Sequence, residues 1–235
     1  MLPIAILRFS PTEGPAYFAQ WLDAHDLPWR LVALDEGAPM PADPRAFAGI
    51  GMMGGPMSVN DSLSWIEPVC ALLRDAVAAR VPVIGHCLGG QLLARALGAR
   101  VTRAAQSEIG WIDVDVDAAA SARAWFGGRP RFAAFQWHYD AFALPQGATR
   151  VLSNGFNPVQ AYTLDDLHIG MQCHVEMTED LVDVWCRSSA DELPSVSTPA
   201  RQSEADIRGR LPVRIDGLHD VASSIYARWI QGLAR

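Results

Sequence analysis

The 235-residue chain contains no lysine: all 19 of its basic residues are arginine, set against 26 acidic residues for a formal charge of −7. Without a lysine amine it can neither form a Schiff base with a carbonyl substrate nor supply the lysine of a P-loop. It also lacks any run of basic residues able to follow a phosphate backbone, so nucleic acid is not an expected partner. Cysteine is scarce too. Cys70, Cys87, Cys173 and Cys186 form no C-x-x-C pair and no metal-ligand spacing, so they are read as reduced thiols with no metal site. No stretch is long and apolar enough to span a bilayer, and the apolar run at residues 4–7 has neither a basic leader nor a small-residue cleavage site. The expectation is a cytoplasmic protein with no membrane association and no cofactor.

Half of the residues are hydrophobic, enough for one sizeable α/β core. Apolar β-rich runs at residues 4–7, 30–34 (RLVAL) and 49–53 (GIGMM) read as strands. Between them, Tyr17, Phe18, Trp21 and Leu22 recur at helical spacing after Thr12, a candidate cap, and Pro28 closes that unit. A helix over residues 65–80 places Ile66, Val69, Leu72, Leu73, Ala76 and Val77 on one face. Strands alternating with helices imply a mostly parallel sheet covered on both faces, with ligands at the carboxyl ends of the strands.

Residues 81–98 (VPVIGHCLGGQLLARALG) read as a strand, a sharp turn and a helix. A nucleophile on such a turn faces the first N–H groups of the helix, which makes Cys87 the candidate nucleophile. The plainer reading is a buried structural cysteine beside a helix-packing Gly-Gly pair. Gly54 and Gly55 follow the third strand and reach the same sheet edge. Acyl transfer needs N–H donors where an oxyanion forms, and Gly55 and Leu88 are the candidates. Alone, Gly-Gly-Pro is simply a tight turn.

Further on, residues 100–103 read as a short strand and IDVDVD as an edge-like strand whose Asp113, Asp115 and Asp117 form a solvated face. Residues 131–139 read as a strand delivering Gln136 to Asp140 into a turn. In HIGMQCHVEMTED, residues 169–173 read as a strand, after which His174 and Glu176 alternate onto one side. They fit a base and the carboxylate that orients it. An ordinary surface His/Glu pair ahead of a helix is the other reading.

GGPMSV at residues 54–59, GHCLGGQLLARALG at 85–98, EIGW at 108–111, WHYDAFALP at 137–145 and GMQCHVE at 170–176 stand in one order. In that order the chain resembles a class I, triad-type glutamine amidotransferase domain over roughly residues 4–187. It is most similar to free-standing proteins like the glutaminase domain of GMP synthetase. The resemblance implies a flavodoxin-like sheet with helices on both faces. It implies Cys87, His174 and Glu176 as triad, Gly55 and Leu88 as oxyanion donors, and Gln91 as a contact to bound glutamine. Gly54, His138 and Tyr139 complete the candidate substrate-binding set, His138 in a positioning role at most. The implied substrate is glutamine or another γ-glutamyl amide, cleaved through a γ-glutamyl thioester, and the partner to expect is an ammonia-accepting synthase subunit. Two positions depart from the family pattern: Val175 stands where proline is usual, and His86 where a small aliphatic is commoner.

After residue 187 the composition turns polar, and residues 188–235 read as a linker and a last amphipathic helix carrying Leu218, Val221, Ala222, Ile225, Tyr226, Trp229 and Leu233, docked on the same domain. Two rival readings remain open. Gly85 to Gly90 also fits the elbow of an α/β-hydrolase, with His219, at the start of that helix, as a late base. The second is a degenerate amidotransferase fold kept as a catalytically silent regulatory or scaffold subunit, which the intact triad argues against.

Overall fold

The four apolar runs that lead the sequence become adjacent parallel strands; those at residues 4–8, 49–52 and 83–86 are buried on both faces, and the one at 29–33 is the part-exposed edge. The structure, a computed structural model, describes residues 1–233. In chain order it comprises β1 (Ile4–Arg8), α1 (Ala16–Ala24), β2 (Trp29–Ala33), β3 (Gly49–Met52), α2 (Ile66–Ala78), β4 (Val83–His86), α3 (Leu88–Ala96), β5 (Val101–Val116) and α4 (Ala120–Trp125). There follow β6 (Arg131–Phe142), β7 (Thr149–Ser153), β8 (Ala161–Leu164), β9 (His168–Met171), α5 (Glu179–Ser188), α6 (Glu204–Arg208) and α7 (Leu211–Trp229).

All nine strands form one sheet in the order β2-β1-β3-β4-β9-β8-β7-β5-β6. The β2-β1-β3-β4-β9 half is parallel, and the rest is an antiparallel extension. Register brings Met52 beside Gly85 and Gly85 beside Gly170, so the segments after β3, β4 and β9 leave the sheet at one edge. The fold is the flavodoxin-like α/β sheet that the motifs imply, enlarged by four antiparallel strands.

Glycine decides how closely α3 crosses that edge. A Cβ on Gly85 would lie 2.5 Å from the Gly89 carbonyl carbon, and one on Gly89 would lie 2.6 Å from Met52 Cβ. The Gly-Gly pair therefore does pack a helix against the sheet, and this packing is what holds Cys87 at the edge.

Several sequence expectations are corrected here. Thr12 does not cap α1: Pro15 occupies the N-cap with no side-chain bond, and Thr12 Oγ1 pairs with Ser10 Oγ at 3.0 Å. The two short strands expected on either side of Glu108 are one strand, β5, with an irregularity in its pairing to β6 between Arg103 and Glu108. The IDVDVD stretch is not an edge, because β5 pairs with both β6 and β7. Its acidic face is solvated, with Asp115 paired to Arg131 and Asp117 to Arg150. Gln136 to Asp140 stay inside β6, which runs on to Phe142.

The amphipathic face of α7 docks on α1. Tyr226 lies 4.8 Å from Phe18, ring centre to ring centre, and Tyr17 Oη lies 3.0 Å from Ser223 Oγ. Leu218, Val221 and Ile225 are buried there, each worth about 1.5–3 kcal/mol by the usual area estimate. His219 lies within α7, not at its start, and its Nε2 donates to the Met177 carbonyl at 2.8 Å. Among the described residues, no helix is long and apolar enough to cross a membrane.

Candidate active site

The chain leaves β4 and enters α3 through Cys87, whose φ of 47° and ψ of −106° lie outside the regions that L-residues ordinarily occupy. Such strain is the mark of a nucleophile elbow, in which the side chain is thrown up from the sheet edge while the helix begins beneath it. Cys87 is 5% exposed and opens onto a cavity of about 320 Å³. Gly55, Gln91, His138 and Tyr139 line the same cavity.

Gly55 sits directly against Leu88: a Cβ added to it would lie 2.5 Å from Leu88 Cδ2. Leu88 begins α3, where the first N–H groups have no partner within the helix. No backbone acceptor takes the Gly55 N–H among the described residues. The two candidate oxyanion donors thus flank the elbow.

The His174 backbone N–H donates to the Phe135 carbonyl at 2.8 Å, pinning the segment after β9 to β6. Its Nδ1 lies 2.7 Å from Glu176 Oε1, and both side chains are buried. The other ring nitrogen, Nε2, is enclosed and makes no hydrogen bond. Burial pulls the imidazole's pKa down, but the charges of Glu176 and Cys87 outweigh it and hold His174 well above its ordinary value. Burial pushes Glu176 the other way, up, yet the facing histidines, His86 and His174, bring it below the usual carboxylate range. The arrangement can store a proton on His174 opposite the Cys87 sulfur.

His86 is turned toward Met52, Glu176 and Tyr226. Its Nδ1 donates to the Met52 carbonyl at 3.1 Å, and its Nε2 lies 3.9 Å from Glu176 Oε2 and 3.4 Å from Tyr226 Oη. Val175, the other departure from the family pattern, is fully buried in the core.

The remaining candidates are held from behind. Gln91 Nε2 donates to the Asp140 carbonyl at 3.1 Å and to Gln172 Oε1 at 3.3 Å. His138 meets the cavity with its ring, but its Nδ1 bonds the Asp140 carbonyl at 3.0 Å and its Nε2 faces Glu108 Oε2 at 3.1 Å. Glu108 is fully buried and also accepts from Asn154, Asn157 and Gln160. That accords with a positioning role for His138. Gly54, expected in the substrate-binding set, is not among the cavity residues; a Cβ on it would lie 2.8 Å from His174 Cε1.

Sequence reasoning missed four contributors. Gln172 Nε2 approaches Cys87 Sγ at 3.6 Å, although the residue stands within one of the five motifs. Trp185 packs edge-on to His174 at 4.7 Å and donates from Nε1 to the Thr12 carbonyl at 2.9 Å. Glu192 comes from the polar stretch read as a linker, and its Oε2 accepts from Trp137 Nε1 at 2.9 Å and Tyr139 Oη at 2.6 Å. Burial and that bond push the Tyr139 hydroxyl up to about 12. Glu13, on the loop after β1, lines the cavity with no motif to announce it. His219 is not among the cavity residues, and its bond to Met177 removes the hydrolase-type base.

Comparison with known proteins gives a consistent picture. The family described as glutamine amidotransferase class-I matches residues 28–183. A glutamine amidotransferase-like protein of Salmonella typhimurium, YfeJ, is 29% identical over 77% of the chain and 78% of its own length. A glutamine-hydrolyzing GMP synthase subunit from Sulfurisphaera tokodaii is 35% identical over 56% of the chain and 70% of its own length. A GMP synthase of Aeropyrum pernix is also 35% identical, but the match spans only 27% of that protein. Among solved structures, a glutamine amidotransferase from Methylobacillus flagellatus superposes with a TM-score of 0.97 at 45% identity, covering 100% of this chain and 96% of that one.

Proposed function

The chain belongs to the class I glutamine amidotransferase family, and from that premise we propose that it cleaves the side-chain amide of glutamine, or of a related γ-glutamyl compound, through a thioester on Cys87. His174 takes the thiol proton and the sulfur attacks the amide carbonyl. The oxyanion forms between the N–H groups of Gly55 and Leu88, where fixed donors stabilise it without reorganisation. His174 then returns a proton to the leaving nitrogen as the C–N bond breaks, and water activated by the same imidazole releases the γ-carboxylate. Glu176 holds the tautomer that leaves Nε2 toward the sulfur and balances the imidazolium.

The observation that carries this reading is the strained Cys87 elbow opposite a buried imidazole whose Nδ1 is bonded to Glu176 at 2.7 Å. Gln91 and Tyr139 line the space for the glutamyl portion. Residues 1–187 carry the triad. Residues 188–233 dock on them through α7 and add Glu192 to the cavity wall, which supports reading them as part of the working unit.

Purified wild-type chain and Cys87→Ala, assayed for glutamate and ammonia release from glutamine and a panel of γ-glutamyl amides, test the reading. Release that depends on Cys87 supports it, and release that survives the substitution refutes it. The relatives named as glutamine-hydrolyzing GMP synthase subunits favour a second element: delivery of the ammonia to a synthase partner. Wild-type chain that reacts with a glutamine-like electrophile at Cys87, yet turns over slowly alone, supports that element. A catalytically silent scaffold would show neither reaction.

A further inference from the structure

Glu13 sits on the loop between β1 and α1, and its Oε2 is closed off from solvent without a hydrogen-bond partner. A Cβ placed on Gly54 would collide with that oxygen and lie 2.8 Å from His174 Cε1, so carboxyl and imidazole edge converge on one glycine. Glu13 also lines the cavity that Cys87 opens onto. Burial pushes the carboxyl up to about 7, with His174 opposing the rise and Glu176 adding to it, and no arginine contributes. An enclosed carboxyl with no partner is destabilising whether it is ionised or left as an unsatisfied acid. The charged groups around it are His174 and Glu176 after β9, with Cys87 at the start of α3 and His86 at the end of β4 behind them.

Amide cleavage brings a base, and then a cation, to this spot. The leaving nitrogen takes its proton from His174, so it departs on the imidazole's side of the cavity, where Glu13 lies. We propose that Glu13 is the amine-receiving group of the site: its carboxyl protonates the departing ammonia or primary amine and holds the resulting ammonium as an ion pair until release. The inference rests on the amide-cleaving role assigned to Cys87 and His174. The C–N bond breaks as His174 protonates the nitrogen, and the neutral amine takes the Glu13 proton. That proton is replaced when the thioester is hydrolysed and the new γ-carboxyl sheds its own. The carboxyl also sets the ligand class. Ammonium and primary alkylammonium ions carry N–H donors for it, and a quaternary ammonium carries none.

Alkylation of Cys87 by iodoacetamide, read from the mass of its peptide in the full chain, tests this without any turnover. Ammonium and methylammonium chloride are expected to slow wild-type alkylation several-fold relative to equal tetramethylammonium chloride. The protection should fade as pH falls below about 7, where Glu13 is protonated, and Glu13→Gln should abolish it. Equal rates in ammonium and tetramethylammonium for the wild-type chain overturn the inference, as does full protection in Glu13→Gln. The wild-type comparison needs no variant, so a misfolded Glu13→Gln would not rescue the idea. Failure of the amide-cleavage reading appears elsewhere, as glutamate release that survives Cys87→Ala.

Discussion

His174 Nδ1 lies 2.7 Å from Glu176 Oε1, two residues further along the bent segment that follows β9, with both groups buried. At that distance the carboxylate fixes the imidazole's tautomer. Glu176→Gln keeps the shape but removes the charge that holds His174 well above its ordinary pKa. The expected outcome is a fall in kcat on the order of 10²–10⁴-fold, the usual range for positioned acid–base catalysis, with KM for glutamine little changed. Steady-state kinetics of the purified variant read this directly, and a rise in KM at constant kcat would place Glu176 in substrate binding instead.

Two glycines at the elbow should fail differently. A Cβ on Gly55 meets only the movable ends of Leu88 and Met57, whereas one on Gly90 meets the backbone of Met171 in the sheet. Gly55→Ala is expected to fold and to lose activity tenfold or more, as a displaced oxyanion donor does. Gly90→Ala is expected to lose roughly 1–3 kcal/mol or more of stability, because backbone cannot step aside. Urea unfolding and kcat, measured on both, separate the cases.

His168 on β9 is fully buried with neither ring nitrogen bonded, and burial lowers its pKa to about 4. Asp165 opposes that shift and Arg80 adds to it. The unfolded chain would titrate it near 6.5, so the unfolded state binds more protons between those values. Stability is therefore intact above about pH 6.5 and is lost as pH falls toward 4, by roughly 1.4 kcal/mol for each unit of separation at most. The lowered Glu176 adds a loss of the same sign at still lower pH. Glu13, raised to about 7, acts in the opposite sense over the same interval, so the expected outcome is relative: between pH 7 and pH 5 the urea midpoint of His168→Leu should shift toward greater stability at pH 5 than that of the wild-type chain, and identical profiles would mean that His168 contributes nothing.

Glu192 joins two aromatic walls of the cavity by accepting from Trp137 and Tyr139. Glu192→Ala frees both donors and the Tyr139 ring, leaving Cys87, His174 and Glu176 untouched. A several-fold rise in KM for glutamine is expected with kcat within about threefold, since interactions made equally in ground and transition states act on KM. Loss of kcat alone would contradict this assignment.

What could be read in advance follows from where the deciding interactions lie. The buried parallel strands announce themselves as apolar runs, and the Cys87 elbow as a strand, a glycine and a helix within eighteen residues. His174 and Glu176 were legible from their spacing within one motif, but the strand expected through residue 173 ends at Met171, and the two side chains meet across a bent segment, not by the alternation of an extended chain. β5 was divided because its polar residues between Arg103 and Glu108 break the apolar pattern where its pairing is irregular. Its interior place in the sheet depends on β7, a partner some 35 residues away that no local pattern names. Glu192 looks like any charge in a solvated linker until Trp137 and Tyr139 are folded against it. Glu13 has no motif at all, and only the enclosure of its carboxyl beside Gly54 and His174 singles it out.

The most direct test is to quench wild-type chain in acid while it reacts with glutamine and to weigh the peptide that contains Cys87. A γ-glutamyl group carried on Cys87, and absent from Cys87→Ser, is the expected result. Undiminished glutamate release with Cys87 unmodified, or the same release from Cys87→Ser, would contradict the assignment of Cys87 as nucleophile.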